Sequence, residues 1–130
     1  MSKDKIYLFD TTLRDGAQTE GVDFSLEDKN KIANVLSEIG IDYIEGGWPG
    51  ANPIDTKFFS KPPKTKKSIF TAFGMTKKTG RSADNDPGLA SLINADTSAV
   101  CVVGKTWDFH VKVALGFNNK DNLENIRETT

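Results

Sequence analysis

Cysteine is almost absent from this chain. The single thiol, Cys101, excludes a disulfide framework within the 130 residues and accords with a reducing compartment. It lies in the apolar run Val100-Cys101-Val102-Val103 and reads as a small core residue. Histidine is equally scarce: His110 has no partner at metal-ligand spacing and reads as structural or exposed rather than as a ligand. No apolar run approaches the roughly 18 residues that a membrane helix needs, and no long apolar segment follows Met1-Ser2-Lys3-Asp4-Lys5. A soluble, cytoplasmic protein is expected. Charge of one sign is not in excess either, with 17 Lys and Arg against 18 Asp and Glu. The net charge of −1 gives no electrostatic case for a nucleic-acid partner. Nothing reads GxGxxG after the first apolar run, which disfavours a dinucleotide-binding fold.

What is present is an alternation of strand and helix signals. The bulky run Ile6-Tyr7-Leu8-Phe9 predicts a strand buried on both faces. A helix is predicted from about Leu26, with Ser25 as N-cap, Asp28 completing a capping box, Gly40 as C-terminal stop, and Ile32, Val35, Leu36 and Ile39 along its apolar side. Ile41 to Gly47 reads as the second strand, and Asn52 with Pro53 opens a helix to about Ser60. Ser68 to Phe73 reads as the third strand. Asp86 and Pro87 open a short helix with Leu89, Leu92 and Ile93 on its apolar side, and Ser98 to Val103 reads as the fourth strand. Thr106 is placed to cap a helix with Trp107, Val111 and Leu115 on one face, and a last helix is expected from Asp121 to Thr130. Such alternation forces parallel strands joined by right-handed crossovers. An eight-stranded barrel takes about 250 residues, so the expected fold is α/β, the first four βα units of a (β/α)8 TIM barrel. The whole chain, 1–130, then reads as the N-terminal half of one catalytic barrel domain with no second domain.

Two basic stretches need a role. Lys61-Pro62-Pro63-Lys64-Thr65-Lys66-Lys67 lacks interleaved aromatics and reads as a solvated loop at the bottom of the barrel rather than a nucleic-acid patch. The second, Gly74 to Arg81, lies on the strand-end side, where ligands bind in such folds.

The polar loop after the first strand has the most chemistry. Arg14 and Asp15 stand side by side, Gly16 follows, and Gln18 adds an amide. A carboxylate is a hard oxygen ligand for a divalent cation, and a guanidinium holds an anion or an oxygen gaining charge. On spacing alone a surface ion pair is the commoner arrangement. Glu45, at the end of the second strand, points to the same mouth or is a solvated strand-end charge.

The segments FDTTLRDGAQTEGVDFSLEDK and YIEGGWPGANPIDTKFF settle the choice by resemblance. They are similar to the catalytic barrel of the isopropylmalate, homocitrate and citramalate synthases, metal-dependent enzymes grouped with the hydroxymethylglutaryl-CoA lyases. EGVDFS and EGGWPGANP resemble the citramalate synthase branch, and FGMTKKTG, NDPGLASLINADTSAVCVVGKTWDFHV and NLENIRET fit it too. The resemblance runs from about Ile6 to the last residue.

That resemblance implies a Claisen-type condensation of acetyl-CoA with pyruvate to (R)-citramalate, followed by thioester hydrolysis, in isoleucine and branched-chain amino-acid biosynthesis. It implies Arg14 as the catalytic residue, Asp15 as ligand to a divalent metal (Mg, Mn or Zn), and Arg14, Gln18 and Glu45 as substrate-binding residues. From its place on the strand-end side, the second basic stretch either helps attract the coenzyme A phosphates through Lys77, Lys78 or Arg81 or is a flexible charged loop. A homodimer is implied for the full-length protein, with neither nucleic acid nor membrane as partner. The family completes its metal site with a His-x-His pair from a later strand, and one histidine cannot supply it. The 130 residues alone are therefore expected to lack synthase activity and to leave the first and fourth strands as open edges. The alternatives are a sister synthase for another 2-oxo acid, an acyl-CoA lyase, or a non-catalytic half-barrel.

Overall fold

A computed structural model describes residues 4–65 and 67–130. The described residues form one four-stranded parallel sheet in sequence order, with helices in the connections. The strands are β1 (Phe9–Asp10), β2 (Tyr43–Glu45), β3 (Ile69–Met75) and β4 (Ala99–Val103). The helices are α1 (Leu26–Glu38), α2 (Pro53–Ser60), α3 (Pro87–Asn94), the single turn α4 (Asp108–His110) and α5 (Asn119–Thr129). Tyr43 pairs with Ile69, Glu45 with Thr71 and Phe73 with Cys101, so the strand ends form one rim.

Strand alternation divides the sheet into two chemistries. Ile44, Phe70 and Ala72 join Leu13, Ala33, Phe58, Phe59, Leu89 and Leu92 in a core between sheet and helices. Glycine permits the close approach there: a Cβ on Gly46 would lie 2.1 Å from Phe70, and one on Gly74 2.4 Å from Leu92. The opposite face carries Phe9, Tyr43, Glu45, Thr71, Phe73 and Cys101.

Three helix starts form as their sequences dictate. The Ser25 side chain accepts from the Asp28 amide while Asp28 accepts from the Ser25 amide, a complete capping box, and Gly40 follows the helix with φ +94°. Asn52 caps α2 through the Asp55 amide, with Pro53 first in the helix. Asp86 accepts from the Gly88 and Leu89 amides ahead of Pro87–Asn94.

Several expectations are corrected. The Ile6–Phe9 run is not a doubly buried strand: β1 is only Phe9–Asp10, and Ile6, Tyr7, Leu8 and Phe9 are exposed. It lies at the sheet edge, where the Leu8 amide donates to Asp42 Oδ2 rather than into a ladder. In α1 the buried line is Lys29, Ala33 and Ser37, whereas Val35 and Ile39 face outward; small residues at 33 and 37 let the helix approach the sheet. Ile93 is likewise exposed on α3. Thr106 does not cap the fourth helix. Trp107 precedes α4, the following Val111–Leu115 widens into a π-helical turn, and Gly116 ends it with φ +71°. The widened turn buries Val111 and leaves Trp107 exposed beside Phe109 and His110. The last helix starts at Asn119, two residues earlier than expected, with Asn118 as its cap accepting from the Asp121 amide. In the basic loop 61–67, Lys66 lies outside the described residues.

Candidate active site

The loop after β1 is held by its own polar side chains. Asp10 accepts from the Thr12 amide and hydroxyl, both at 3.0 Å. The Thr11 carbonyl accepts from the amides of Arg14, Asp15 and Gly16 at 2.8–3.2 Å. Leu13 inserts into the core with no exposed surface, which fixes where Arg14 leaves the backbone.

Arg14 reaches across the strand ends. Its Nε donates to Glu45 Oε2 at 2.7 Å, its Nη1 donates to Asp15 Oδ1 at 2.9 Å, and its guanidinium carbon lies 4.3 Å above the Phe73 ring centre. A guanidinium seated over a ring and forked between two carboxylates has little freedom. Its Nη2 group makes no hydrogen bond among the described residues. Glu45 is 1% exposed, and its Oε1 is buried without a hydrogen-bond partner among them. A buried orphan acceptor is costly, and this one stands at the strand-end mouth beside the Cys101 thiol. Asp15 contrasts with it, its side chain 63% exposed with one oxygen on Arg14.

Of the four residues singled out from the sequence, Arg14, Asp15 and Glu45 come together through direct ion pairs. Gln18 is exposed and bonds to none of them, but it shares with Arg14 the wall of a cleft of about 440 Å³ between the β1 and β2 loops. Asp15 offers one hard oxygen donor, consistent with a single metal ligand, and no group of three or more His, Cys, Asp or Glu suited to a metal occurs among the described residues.

Sequence reasoning missed Phe73, Trp48 and Cys101 as neighbours of this cluster. Trp48 packs edge-on against Phe73 at 5.6 Å between ring centres. Cys101 is half-buried on the site face rather than in the core, and burial pushes its thiol pKa up, with the nearby Glu45 carboxylate adding to the effect. The pairing of Phe73 with Cys101 explains the neighbourhood, and only strand register reveals it.

A larger groove of about 900 Å³ lies beside the site, lined by Trp48, Met75, Lys78, Arg81, Lys105 and Phe117 among others. Lys77, expected to be a free cation here, is not: it is buried, its Nζ pairs with Glu128 at 2.8 Å and donates to the Arg81 carbonyl at 2.8 Å. Lys78 and Arg81 are exposed. His110 is exposed in α4, away from any strand end. No described helix is long and apolar enough to cross a membrane.

A parallel βα sheet with an arginine and carboxylates gathered at its strand ends defines part of an α/β barrel with a polar mouth. The chain belongs to the HMGL-like family, whose model matches residues 5–130. It is 52% identical over 128 residues to the (R)-citramalate synthase of Aquifex aeolicus and 49% identical over 123 residues to that of Geobacter sulfurreducens. These matches cover 97% and 93% of this chain but 24% and 23% of the relatives. The chain therefore spans about a quarter of their length. A 2-isopropylmalate synthase from Sulfurisphaera tokodaii is 35% identical over 96% of this chain and 31% of its own. The HMG-CoA lyase of Bacillus subtilis shares the fold at a TM-score of 0.71 and 21% identity, over 96% of this chain and 41% of that one.

Proposed function

We propose that the protein carrying this chain is an acyltransferase that condenses acetyl-CoA with pyruvate to give (R)-citramalate. The observation that carries the reading is the Arg14 guanidinium fixed between Glu45 and Asp15 over Phe73, in a chain about half identical to citramalate synthases. The reaction removes a proton from the acetyl methyl group and forms a bond from that carbon to the ketone carbon of pyruvate. The ketone oxygen becomes an alkoxide and is protonated, and water then cleaves the thioester to release coenzyme A.

Arg14 answers the middle step. Its free Nη2 donors stabilise charge growing on the ketone oxygen, while Glu45 and Phe73 keep the fork from turning away. Pyruvate brings no hydrogen-bond donor, so Glu45 Oε1 accepts instead from the hydroxyl that protonation of the new alkoxide creates, which removes its orphan state. Gln18 lines the same cleft as Arg14 and binds substrate through its amide. Asp15 contributes one ligand to a divalent cation, which supplies Lewis-acid polarisation of the oxo acid when bound. The remaining ligands and the groups that move the methyl proton come from outside these 130 residues. Lys78 and Arg81, exposed on the neighbouring groove, attract the coenzyme A phosphates.

Substrate profiling tests the reading. Full-length protein incubated with acetyl-CoA and either pyruvate, 2-oxoisovalerate or 2-oxoglutarate is expected to release coenzyme A fastest with pyruvate. Preference for 2-oxoisovalerate would instead make it a 2-isopropylmalate synthase, the sister activity named for a 35% identical relative.

A further inference from the structure

Beneath the mouth lies a charge pair that the proposed chemistry does not use. Lys29 on α1 and Asp55 on α2 are 3% and 7% exposed and form an ion pair. A buried ion pair is poor evidence for stability, because apolar residues of similar volume often serve as well. The bonding capacity of this one is directed at the segment that follows Glu45. Lys29 Nζ donates to the Gly46 carbonyl at 3.0 Å. Asp55 Oδ2 accepts from the Trp48 amide and from Asn52 Nδ2, each at 3.1 Å. Gly47, between them, has φ +145°, and a Cβ there would lie 2.7 Å from the Asp55 carboxylate.

From this segment two lines of contact reach Arg14. Gly46 is bonded to Glu45, and its amide donates to the Thr71 carbonyl, so holding Gly46 sets the Glu45 carboxylate that takes Arg14 Nε. Trp48 packs against Phe73, the ring on which the guanidinium lies. We propose that Lys29 and Asp55 are positioning residues: their buried pair clamps Gly46 to Trp48 and thereby sets both the donor direction and the plane of the Arg14 guanidinium. Only the catalytic consequence rests on the function proposed above; the geometric claim does not.

The clamp is tested by nitrogen-15 NMR of the Arg14 Nε–H group, assigned by its loss in Arg14→Lys. Lys29→Met combined with Asp55→Leu removes both charges and leaves no orphan ion. The expected result is a fall of about tenfold or more in protection of Nε–H from hydrogen exchange, while the Asp28 amide in the α1 capping box keeps its protection. A folded double variant with unchanged Nε–H protection and chemical shift would overturn the proposal. Should that variant not fold, Lys29→Gln combined with Asp55→Asn, which also removes both charges but keeps polar side chains of similar volume, is read in the same way. In the complete enzyme the clamp variants are expected to lower kcat by about 10²-fold with a smaller change in KM. If instead Arg14→Ala left turnover intact, the proposed function would fall while the NMR comparison still decided the clamp.

Discussion

Replacing Gly47 with alanine is the sharpest local perturbation available. The backbone there has φ +145°, which an L side chain rarely adopts, and the new methyl would sit 2.7 Å from Cγ, Oδ1 and Oδ2 of Asp55. Asp55 cannot swing aside, being tied to Lys29, Trp48 and Asn52. The backbone strain is of order 1–3 kcal/mol and a displaced buried hydrogen bond costs about 1–3 kcal/mol, so a loss of about 2–6 kcal/mol is expected. With a urea slope of about 2 kcal/mol per molar, the unfolding midpoint should fall by about 2 M. Gly80→Ala is the control: φ is +85° there, but nothing lies within 4 Å of the added methyl, so strain acts alone and the midpoint should fall by about 0.5–1.5 M, less than at Gly47. Equal shifts for the two variants would refute the reasoning, because the carboxylate contact would then add nothing.

Other perturbations separate the site from its scaffold. Arg14→Lys in the full-length protein should lower turnover by about 10²–10³, since a point charge cannot replace the fork between Glu45 and Asp15; steady-state kinetics checks it. Lys78→Ala with Arg81→Ala should raise the acetyl-CoA KM and leave the pyruvate KM unchanged, with Lys77 left in place because it is buried against Glu128. Asp86 gives a pH signature. Burial opposes its ionisation, but the amides of Lys78, Leu89 and Gly88 outweigh this and hold its pKa below the usual 3.8. A depressed folded-state pKa stabilises the protein above the unfolded value, and that stability is lost as pH falls through the folded value. Asp86→Asn should therefore be less stable than wild type at pH 7, and the difference should shrink below about pH 4 in urea titrations.

Local signals carried much of this fold. Ser25 with Asp28, Asn52 with Pro53, and Asp86 with Pro87 each write a helix start into neighbouring residues, and all three form. The alternation of apolar runs and helices is enough to predict parallel order. What stayed hidden depends on distant partners. Lys29 and Asp55 are 26 residues apart, and each reads alone as a surface charge on a helix. The Ile6–Phe9 run has the composition of a buried strand, but burial needs neighbours on both sides, and among the described residues of this chain, which spans about a quarter of its relatives' length, β1 has β2 on one side. Lys77 reads as one of three equivalent cations until α5 brings Glu128 to it. At the site the sequence exposed the residue types, whereas the ring beneath Arg14 and the orphan oxygen of Glu45 emerged only from strand register.

The most direct measurement is coenzyme A release from acetyl-CoA and pyruvate with added Mg²⁺ or Mn²⁺, comparing this chain, its extension to the length of the citramalate synthase relatives, and that extension carrying Arg14→Ala. Pyruvate-dependent release by the extension alone, lost with Arg14→Ala, is the predicted result. Release that is undiminished by Arg14→Ala, or none from the extended protein with pyruvate, would contradict it.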